Sequence, residues 1–231
     1  MSRPPALGVL MLETAFPRPL GDIGNRNSWP FPVLYETVAG ASVEAVVSHA
    51  AQGLIDPFLA AGHRLIDRGA IGVTTSCGFL ARHQRVLAEG LRVPVASSAL
   101  LQVGWIASLL PAGKRVGIVT FDADALDDET LCAVGVPLDT PRVGLPPDGR
   151  LRATISGDRP ALDRESALAE VVHSGRRLCE RNPEVAAIVL ECTNLPPYRA
   201  ALAAATGRPV YDIGTLLPWF WHGLSAATPP G

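Results

Sequence analysis

Two short motifs, each with a cysteine directly after an apolar run, constrain the fold of this chain most strongly. The first, TSCG at residues 75–78, follows the apolar run 70–73, and the second, ECTN at residues 191–194, follows the run 186–190. Each cysteine precedes a Gly- or Pro-containing segment that is typical of a helix start. Because the motifs hold matching places in two halves of the chain, they predict two similar α/β units.

The position of these cysteines suggests reactive thiols. A strand that ends at a helix N-terminus exposes its last residues to backbone N–H groups and to the positive end of the helix dipole. That setting lowers the pKa of a thiol and favours the thiolate. We therefore expect Cys77 and Cys192 to face each other across a cleft as one acid and one base, which is the arrangement of a proton-transfer enzyme.

Apolar runs alternate with helical stretches along most of the chain, a pattern that favours parallel sheets flanked by helices. The pattern predicts strands at 6–12, 70–75, 93–96, 115–120, 137–144, 186–191 and 210–212. It predicts helices at 40–68, with Ser42 as N-cap and an interruption at Pro57, and at 79–89, 100–110, 122–133, 160–181, 196–205 and 216–224.

The fold class that follows is α/β, with two pseudo-symmetric lobes and an active site in the cleft between them. Residues 1–110 are expected to form the first lobe and residues 111–212 the second. The C-terminal helix in 213–231 is expected to return to the first lobe.

Composition excludes several classes of function. The net charge is −2, so no basic footprint indicates nucleic acid or an anionic membrane. No apolar stretch reaches the ~20 residues that span a bilayer, and the N-terminus shows no leader of signal-peptide length. The four cysteines lack paired short spacings, which suggests reduced thiols and a cytoplasmic location.

We expect neither a cofactor nor a metal. Lys114 is the single lysine and lies in a surface turn, which disfavours a pyridoxal phosphate Schiff base. The five histidines show no metal-ligand spacing with Cys, Asp or Glu. Cys132 and Cys179 are interpreted as small core residues, whereas Glu191 is expected either to orient Cys192 or to cap a neighbouring segment.

The segment 17–33 is dense in Pro, Gly and Asn and too long for a tight turn. It is expected either to line the cleft, with Asn25 and Trp29 near the substrate, or to form a surface Ω-loop packed on its own aromatic side chains.

The motifs resemble those of the Asp/Glu/hydantoin racemase superfamily. The resemblance rests on TSCG at 75–78, ECTNLPP at 191–197, GVLMLET at 8–14 and GDIGN at 21–25. It implies two α/β lobes related by a pseudo-twofold axis, no cofactor, a small carboxylate substrate, and a homodimer or higher homo-oligomer. Racemases of this superfamily use one cysteine from each lobe on opposite faces of a carbon acid.

The resemblance also implies a set of site residues. Cys77 and Cys192 would be the acid/base pair. The substrate would be held by donors and contacts from the strand ends and the Gly-rich loop, namely Thr75, Ser76, Gly78, Thr193, Asn194, Thr120, Phe121 and Asn25. The chain departs from glutamate racemases, because Gly78 and Asn194 stand where those enzymes commonly have Asn and His.

The resulting expectation is a cofactor-independent racemase of amino acids or related carbon acids. A malonate-type decarboxylase and a maleate-type cis–trans isomerase remain open, as does a small-carboxylate binding protein without turnover. Two intact thiols favour racemisation, because decarboxylation needs only one proton donor.

Overall fold

A computed structural model describes residues 5–226, which form two four-stranded parallel sheets flanked by helices. The first sheet has the order β2-β1-β3-β4 and contains β1 (Ala6–Met11), β2 (Val33–Thr37), β3 (Ala70–Thr75) and β4 (Val95–Ala96). The second sheet has the order β6-β5-β7-β8 and contains β5 (Arg115–Thr120), β6 (Arg142–Gly144), β7 (Val185–Leu190) and β8 (Val210–Tyr211). The two sheets repeat one plan, and the predicted α/β fold class is confirmed.

Helices cover the faces of these sheets. In chain order they are α1 (Val43–Val47), α2 (Ile55–Asp67), α3 (Gln84–Leu91), α4 (Val103–Leu109), α5 (Asp128–Ala133), α6 (Arg150–Ser156), α7 (Arg164–Arg181), α8 (Arg199–Thr206) and α9 (Ile213–Ala226). Helix α2 packs against β1 to β3, and α7 packs against β5 to β7. No helix in the described range 5–226 is long and apolar enough to cross a membrane.

Helix α9 packs beside the first sheet. Its residues Ile213, Leu216 and Leu217 share a buried cluster with Leu7 and Val9 of β1. The boundary between the lobes at residues 110 and 111 stays a prediction, as does the assignment of the C-terminal helix; residues 227–231 of that predicted segment lie outside the described residues.

The long helix predicted at 40–68 is two helices. Ser42 caps α1 as expected, since its side chain accepts a hydrogen bond from the N–H of Ala45. The interruption at Pro57 is wrong, because Pro57 lies in the first turn of α2, where no intrahelical N–H is needed. The break occurs instead at 48–54, where Ala50 and Ala51 adopt positive φ angles of 52° and 54°.

Two short elements escaped the sequence pattern. Strand β2 is a sheet edge whose residues are partly exposed, so it shows no continuous apolar run. Helix α6 is seven residues long and begins at the end of a polar loop. The strand predicted at 137–144 is also shorter than expected, because Pro141 cannot donate to a ladder and pairing begins at Arg142.

Candidate active site

The two cysteine motifs meet where β3 and β7 end. The N–H of Ser76 bonds to the carbonyl of Leu10, and the N–H of Glu191 bonds to the carbonyl of Val119, so both strand ends stay in register with their sheets. The hydroxyl of Thr193 donates to the carbonyl oxygen of Ser76 at 2.6 Å and joins the two loops. Parallel topology thus brings together residues that are more than 100 positions apart.

Both thiols line one narrow pocket, whose cavity volume is about 20 Å³. Its other polar wall residues are Thr14, Arg18, Ser76, Gly78, Glu191, Thr193 and Asn194, and its apolar wall consists of Leu12, Phe16, Val43, Val47, Phe79, Phe121 and Ile155. The residues expected from the sequence that the structure gathers here are Cys77, Cys192, Ser76, Gly78, Thr193, Asn194 and Phe121. Their roles stay predictions.

Three residues expected at the site do not line this pocket. Thr75 is fully buried and donates to the carbonyls of Cys77 and Ser97. It therefore stabilises the turn that holds Cys77 without lining the pocket. Thr120 is buried and donates to Glu191. The Asn25 amide donates to the carbonyl of Arg18 and its Oδ1 accepts from the N–H of Asn27, so Asn25 fixes the loop rather than the substrate.

The predicted lowering of the thiol pKa values is wrong. Burial and the neighbouring Glu191 raise the pKa of Cys77 to about 12, although the N–H groups of Phe79 and Leu80 and the charge of Arg18 oppose the rise. Burial and Glu191 also raise the pKa of Cys192 well above its ordinary value. Short 3-10 turns, rather than long α-helices, follow the thiols and do not offset desolvation.

The rate of alkylation is expected to distinguish Cys77 and Cys192 from the other two cysteines. Cys132 is exposed on the surface helix α5, contrary to its expected core position, whereas Cys179 is half-buried against the core. At pH 8 we expect iodoacetamide to modify Cys132 first, with Cys77 and Cys192 reacting much more slowly because both sulfurs stay protonated. Peptide mass spectrometry over time measures the order. Faster modification of Cys77 than of Cys132 would contradict the raised pKa.

Glu191 is a pocket residue whose importance the sequence did not reveal. Its carboxyl is fully buried, and Oε2 accepts a 2.7 Å hydrogen bond from Thr120. Its Oε1 lies against the Cα of Gly78, where any Cβ would overlap it. Burial raises the pKa of Glu191 from 4.5 to about 7. From the sequence we expected Glu191 either to orient Cys192 or to cap a segment. The hydrogen bond that its carboxyl makes is instead to Thr120.

The buried carboxyl of Glu191 predicts a pH-dependent effect on stability. Between pH 4.5 and about 7 the folded protein holds a proton that the unfolded chain has released, so the free energy of unfolding falls as pH rises through this window. Glu191→Gln removes this loss of stability, because the glutamine side chain does not ionise. We expect the variant to be more stable by about 2–3 kcal/mol at pH 8 and equal to the wild type near pH 4.5. Urea denaturation at both pH values measures this; a variant that is less stable at pH 8 would refute it.

The loop 17–33 contributes Arg18 to the pocket and packs the remainder on itself. The guanidinium of Arg18 donates to Asp22 at 3.0 Å and to Thr14 at 2.7 Å, and it stacks on the ring of Phe16 at 4.5 Å. Trp29, which we expected near the substrate, donates to the carbonyl of Ile23 and packs elsewhere in the loop. The loop therefore lines the pocket through Arg18, as one interpretation expected, and packs on its own aromatic side chains at Trp29, as the other expected.

A chain of hydrogen bonds connects this loop to the second thiol. Asp22 accepts from the amide of Asn194 at 2.8 Å, and the Oδ1 of Asn194 accepts from the sulfur of Cys192 at 3.5 Å. A positively charged residue in a Pro-rich loop beside a predicted cleft was the available signal for Arg18, and Arg26 of the same loop carried the same signal. Across residues 5–226, no group of three or more His, Cys, Asp or Glu side chains is placed to hold a metal ion.

Solved structures place this geometry in a known fold. The chain is similar to arylmalonate decarboxylase (17% identity, TM-score 0.58, covering 98% of this chain and 97% of that chain). It is also similar to a glutamate racemase isoform from Bacillus anthracis (15%, TM-score 0.58, 95% and 82%) and an aspartate racemase homologue from Pyrococcus horikoshii OT3 (12%, TM-score 0.56, 95% and 98%). The chain has the fold of the Asp/Glu racemase superfamily, as the motifs predicted.

Curated sequences give a narrower set of relatives. The chain is 30% identical to dimethylsulfoniopropionate lyase 6 of Emiliania huxleyi (strain CCMP1516) over 90% of its length, and 28% identical to lyase 5 of the same strain over 97%. It is 27% identical to a dimethylsulfoniopropionate lyase of Durusdinium sp. clade D over 95%. The chain covers 57%, 46% and 75% of these three relatives, so it spans about half the length of the first two. No family model matches the chain.

These relatives correct the expected reaction. They are lyases, so the expectation of an amino-acid racemase is wrong. The expectation of an enzyme agrees with these relatives. Two thiols in one pocket do not imply racemisation, because the second thiol need not act as a second base. The malonate-type decarboxylase alternative, which is itself a lyase reaction, has better support than the racemase.

Proposed function

We propose that this chain is a lyase that removes the α-proton of a small carboxylate and expels a leaving group from the β-carbon. We further propose that dimethylsulfoniopropionate, or a close sulfonium carboxylate, is the substrate. The observation that carries the proposal is the similarity to dimethylsulfoniopropionate lyases over 90–97% of the chain.

The reaction balances without an oxidant or reductant. A base takes the proton from the α-carbon, and the electron pair of that C–H bond becomes the second bond between the α- and β-carbons. The bond from the β-carbon to sulfur breaks, and its electron pair leaves on the sulfur. The products are acrylate, dimethyl sulfide and one proton on the base. Because the sulfur leaves as a neutral thioether, no acid is required at the leaving group.

We assign the base to Cys77. Burial and Glu191 raise the pKa of both thiols, but the charge of Arg18 favours the thiolate of Cys77, as do the N–H groups of Phe79 and Leu80. Cys77 is half-buried at the pocket, whereas Cys192 is 7% exposed. The acid/base pair expected from the sequence thus becomes one base and one neutral thiol.

Charge builds on the substrate carboxylate as the α-proton leaves, so the pocket must supply donors there. Cys192 as a neutral thiol, the hydroxyl of Ser76 and the amide of Asn194, which has a second N–H besides the one bonded to Asp22, are the wall groups suited to this task. We also keep the sequence-based proposals of a homodimer or higher homo-oligomer in the cytoplasm, with no cofactor and no nucleic-acid partner.

An assay of the full chain with two substrates tests the proposal. Incubation with dimethylsulfoniopropionate should release dimethyl sulfide and acrylate in equal amounts, measured by headspace gas chromatography and proton NMR. Incubation with 2-methyl-2-phenylmalonate should release no carbon dioxide. Decarboxylation of the malonate without elimination from the sulfonium would overturn the proposal in favour of the arylmalonate decarboxylase reaction, whose fold the chain shares.

A further inference from the structure

The Oε1 atom of Glu191 is a buried acceptor without a hydrogen-bond partner among residues 5–226. Thr120 donates to Oε2, whereas Oε1 packs against the backbone of Gly78, in the place that a Cβ at residue 78 would fill. A buried carboxylate oxygen normally has a partner, since an unpaired one costs the full desolvation penalty. Glu191 belongs to the pocket wall, so a group bound in the pocket can supply the missing partner.

The charges around Glu191 favour a cation as that partner. The Arg18 guanidinium is held by Asp22 in an ion pair at 3.0 Å, so above its pKa of about 7 the Glu191 carboxylate is an uncompensated negative charge in the wall. This carboxylate raises the pKa of Cys77 and of Cys192, so it acts on both thiols. A substrate with only a carboxylate would add a second negative charge there, whereas one that also carries a cation would compensate the first.

The apolar wall suits a methylated cation. Phe79 and Ile155 line the same pocket, and aromatic faces attract alkylated onium groups. A methylated sulfonium or ammonium carries its charge without N–H or O–H donors, so it needs an anion and apolar contacts rather than acceptors with defined geometry.

We propose that Glu191 determines substrate specificity by pairing with the positively charged onium group at the β-carbon of the substrate. The inference rests on the proposed elimination for its place in catalysis, but it concerns binding and is measured independently of turnover. A cation seated near Glu191 also offsets the repulsion that this carboxylate exerts on a thiolate at Cys77, so the correct substrate helps its own base to ionise.

Two unreactive ligands of equal shape, one with the positive charge and one without it, separate the effect of that charge on binding from the effect of shape. The cationic ligand is 3-(trimethylammonio)propionate, and the neutral one is 4,4-dimethylpentanoate, in which carbon replaces the nitrogen. Isothermal titration calorimetry at pH 8 gives the affinity of each ligand for the wild type, for Glu191→Gln and for Glu180→Gln. Glu180 is exposed on α7, so its variant controls for the loss of one negative charge.

We expect the wild type and Glu180→Gln to prefer the cationic ligand on the order of tenfold or more, and Glu191→Gln to bind both ligands equally. A Glu191→Gln variant that keeps the preference, with its fold verified by circular dichroism, would overturn the inference. A wild type without the preference would overturn it too. Loss of the preference in a protein that never releases dimethyl sulfide would support Glu191 as the cation site and refute only the proposed elimination.

Discussion

Replacing Cys77 with alanine is expected to lower kcat/KM for dimethyl sulfide release by about a thousandfold, because a positioned general base contributes about 10²–10⁴ to rate. Burial and Glu191 raise the pKa of this thiol to about 12, so catalysis depends on the groups that favour the thiolate. Initial rates of dimethyl sulfide formation at saturating and limiting substrate measure the loss.

Two further cysteine variants serve as controls. Cys192→Ala should lower kcat by only about tenfold, since we assign it a donor role and one hydrogen bond contributes about 1–1.5 kcal/mol. Cys132→Ala, at an exposed position outside the pocket, should leave the rate unchanged. If Cys192→Ala eliminates activity while Cys77→Ala keeps it, the two thiols must exchange roles.

Replacing Arg18 with methionine is expected to destabilise the protein by about 3 kcal/mol, the lower end of the cost of breaking a buried ion pair. Asp22 is 1% exposed and Arg18 is 12% exposed, so methionine leaves a buried carboxylate without its charge partner. The N–H of Gly24 and the amide of Asn194 still donate to Asp22, which keeps the loss at the lower end. The free energy of unfolding in urea measures the effect.

A double-mutant cycle separates charge from packing. Arg18→Met combined with Asp22→Asn should recover part of the lost stability, because the orphan charge is removed. Arg85 and Glu89 form a pair with the same spacing of four residues on the surface, so Arg85→Met should change stability little. Equal losses for Arg18→Met and Arg85→Met would show that burial of the Arg18 pair is unimportant.

The sequence was sufficient to predict the α/β fold and the meeting of the two cysteine motifs. Parallel strands place their carboxyl ends at one edge, so apolar runs that end in Ser76-Cys77 and Glu191-Cys192 predict a shared site from local pattern alone. The neighbours Gly78, Thr193 and Asn194 follow because they adjoin the cysteines in sequence.

The rest of the site depends on contacts between residues far apart in the chain. Thr120 and Glu191 are 71 positions apart, and Asp22 and Asn194 are 172 apart, so no local pattern signals either pair. The direction of the thiol pKa shifts was also beyond the sequence, because it depends on how completely the loops exclude water from Cys77 and Cys192.

The choice between racemase and lyase could not be made from the thiols. Both reactions begin when a base removes a proton from the carbon beside a carboxylate, so both need a thiolate and preorganised donors. They differ in whether the substrate has a leaving group at the β-carbon. In our proposal, recognition of that group involves Glu191. This residue belongs to the ECTN motif, but the motif does not show that its carboxyl is buried in the pocket wall.

Elimination from a substrate deuterated at both α-positions tests the central claim most directly. If a base in this pocket removes the α-proton, dimethylsulfoniopropionate carrying two deuterium atoms at the α-carbon must give acrylate that retains one of them. The rate should also fall severalfold relative to the undeuterated substrate. Proton and deuterium NMR of the product read both results. A product that keeps both deuterium atoms, or an absence of acrylate and dimethyl sulfide, would contradict the account.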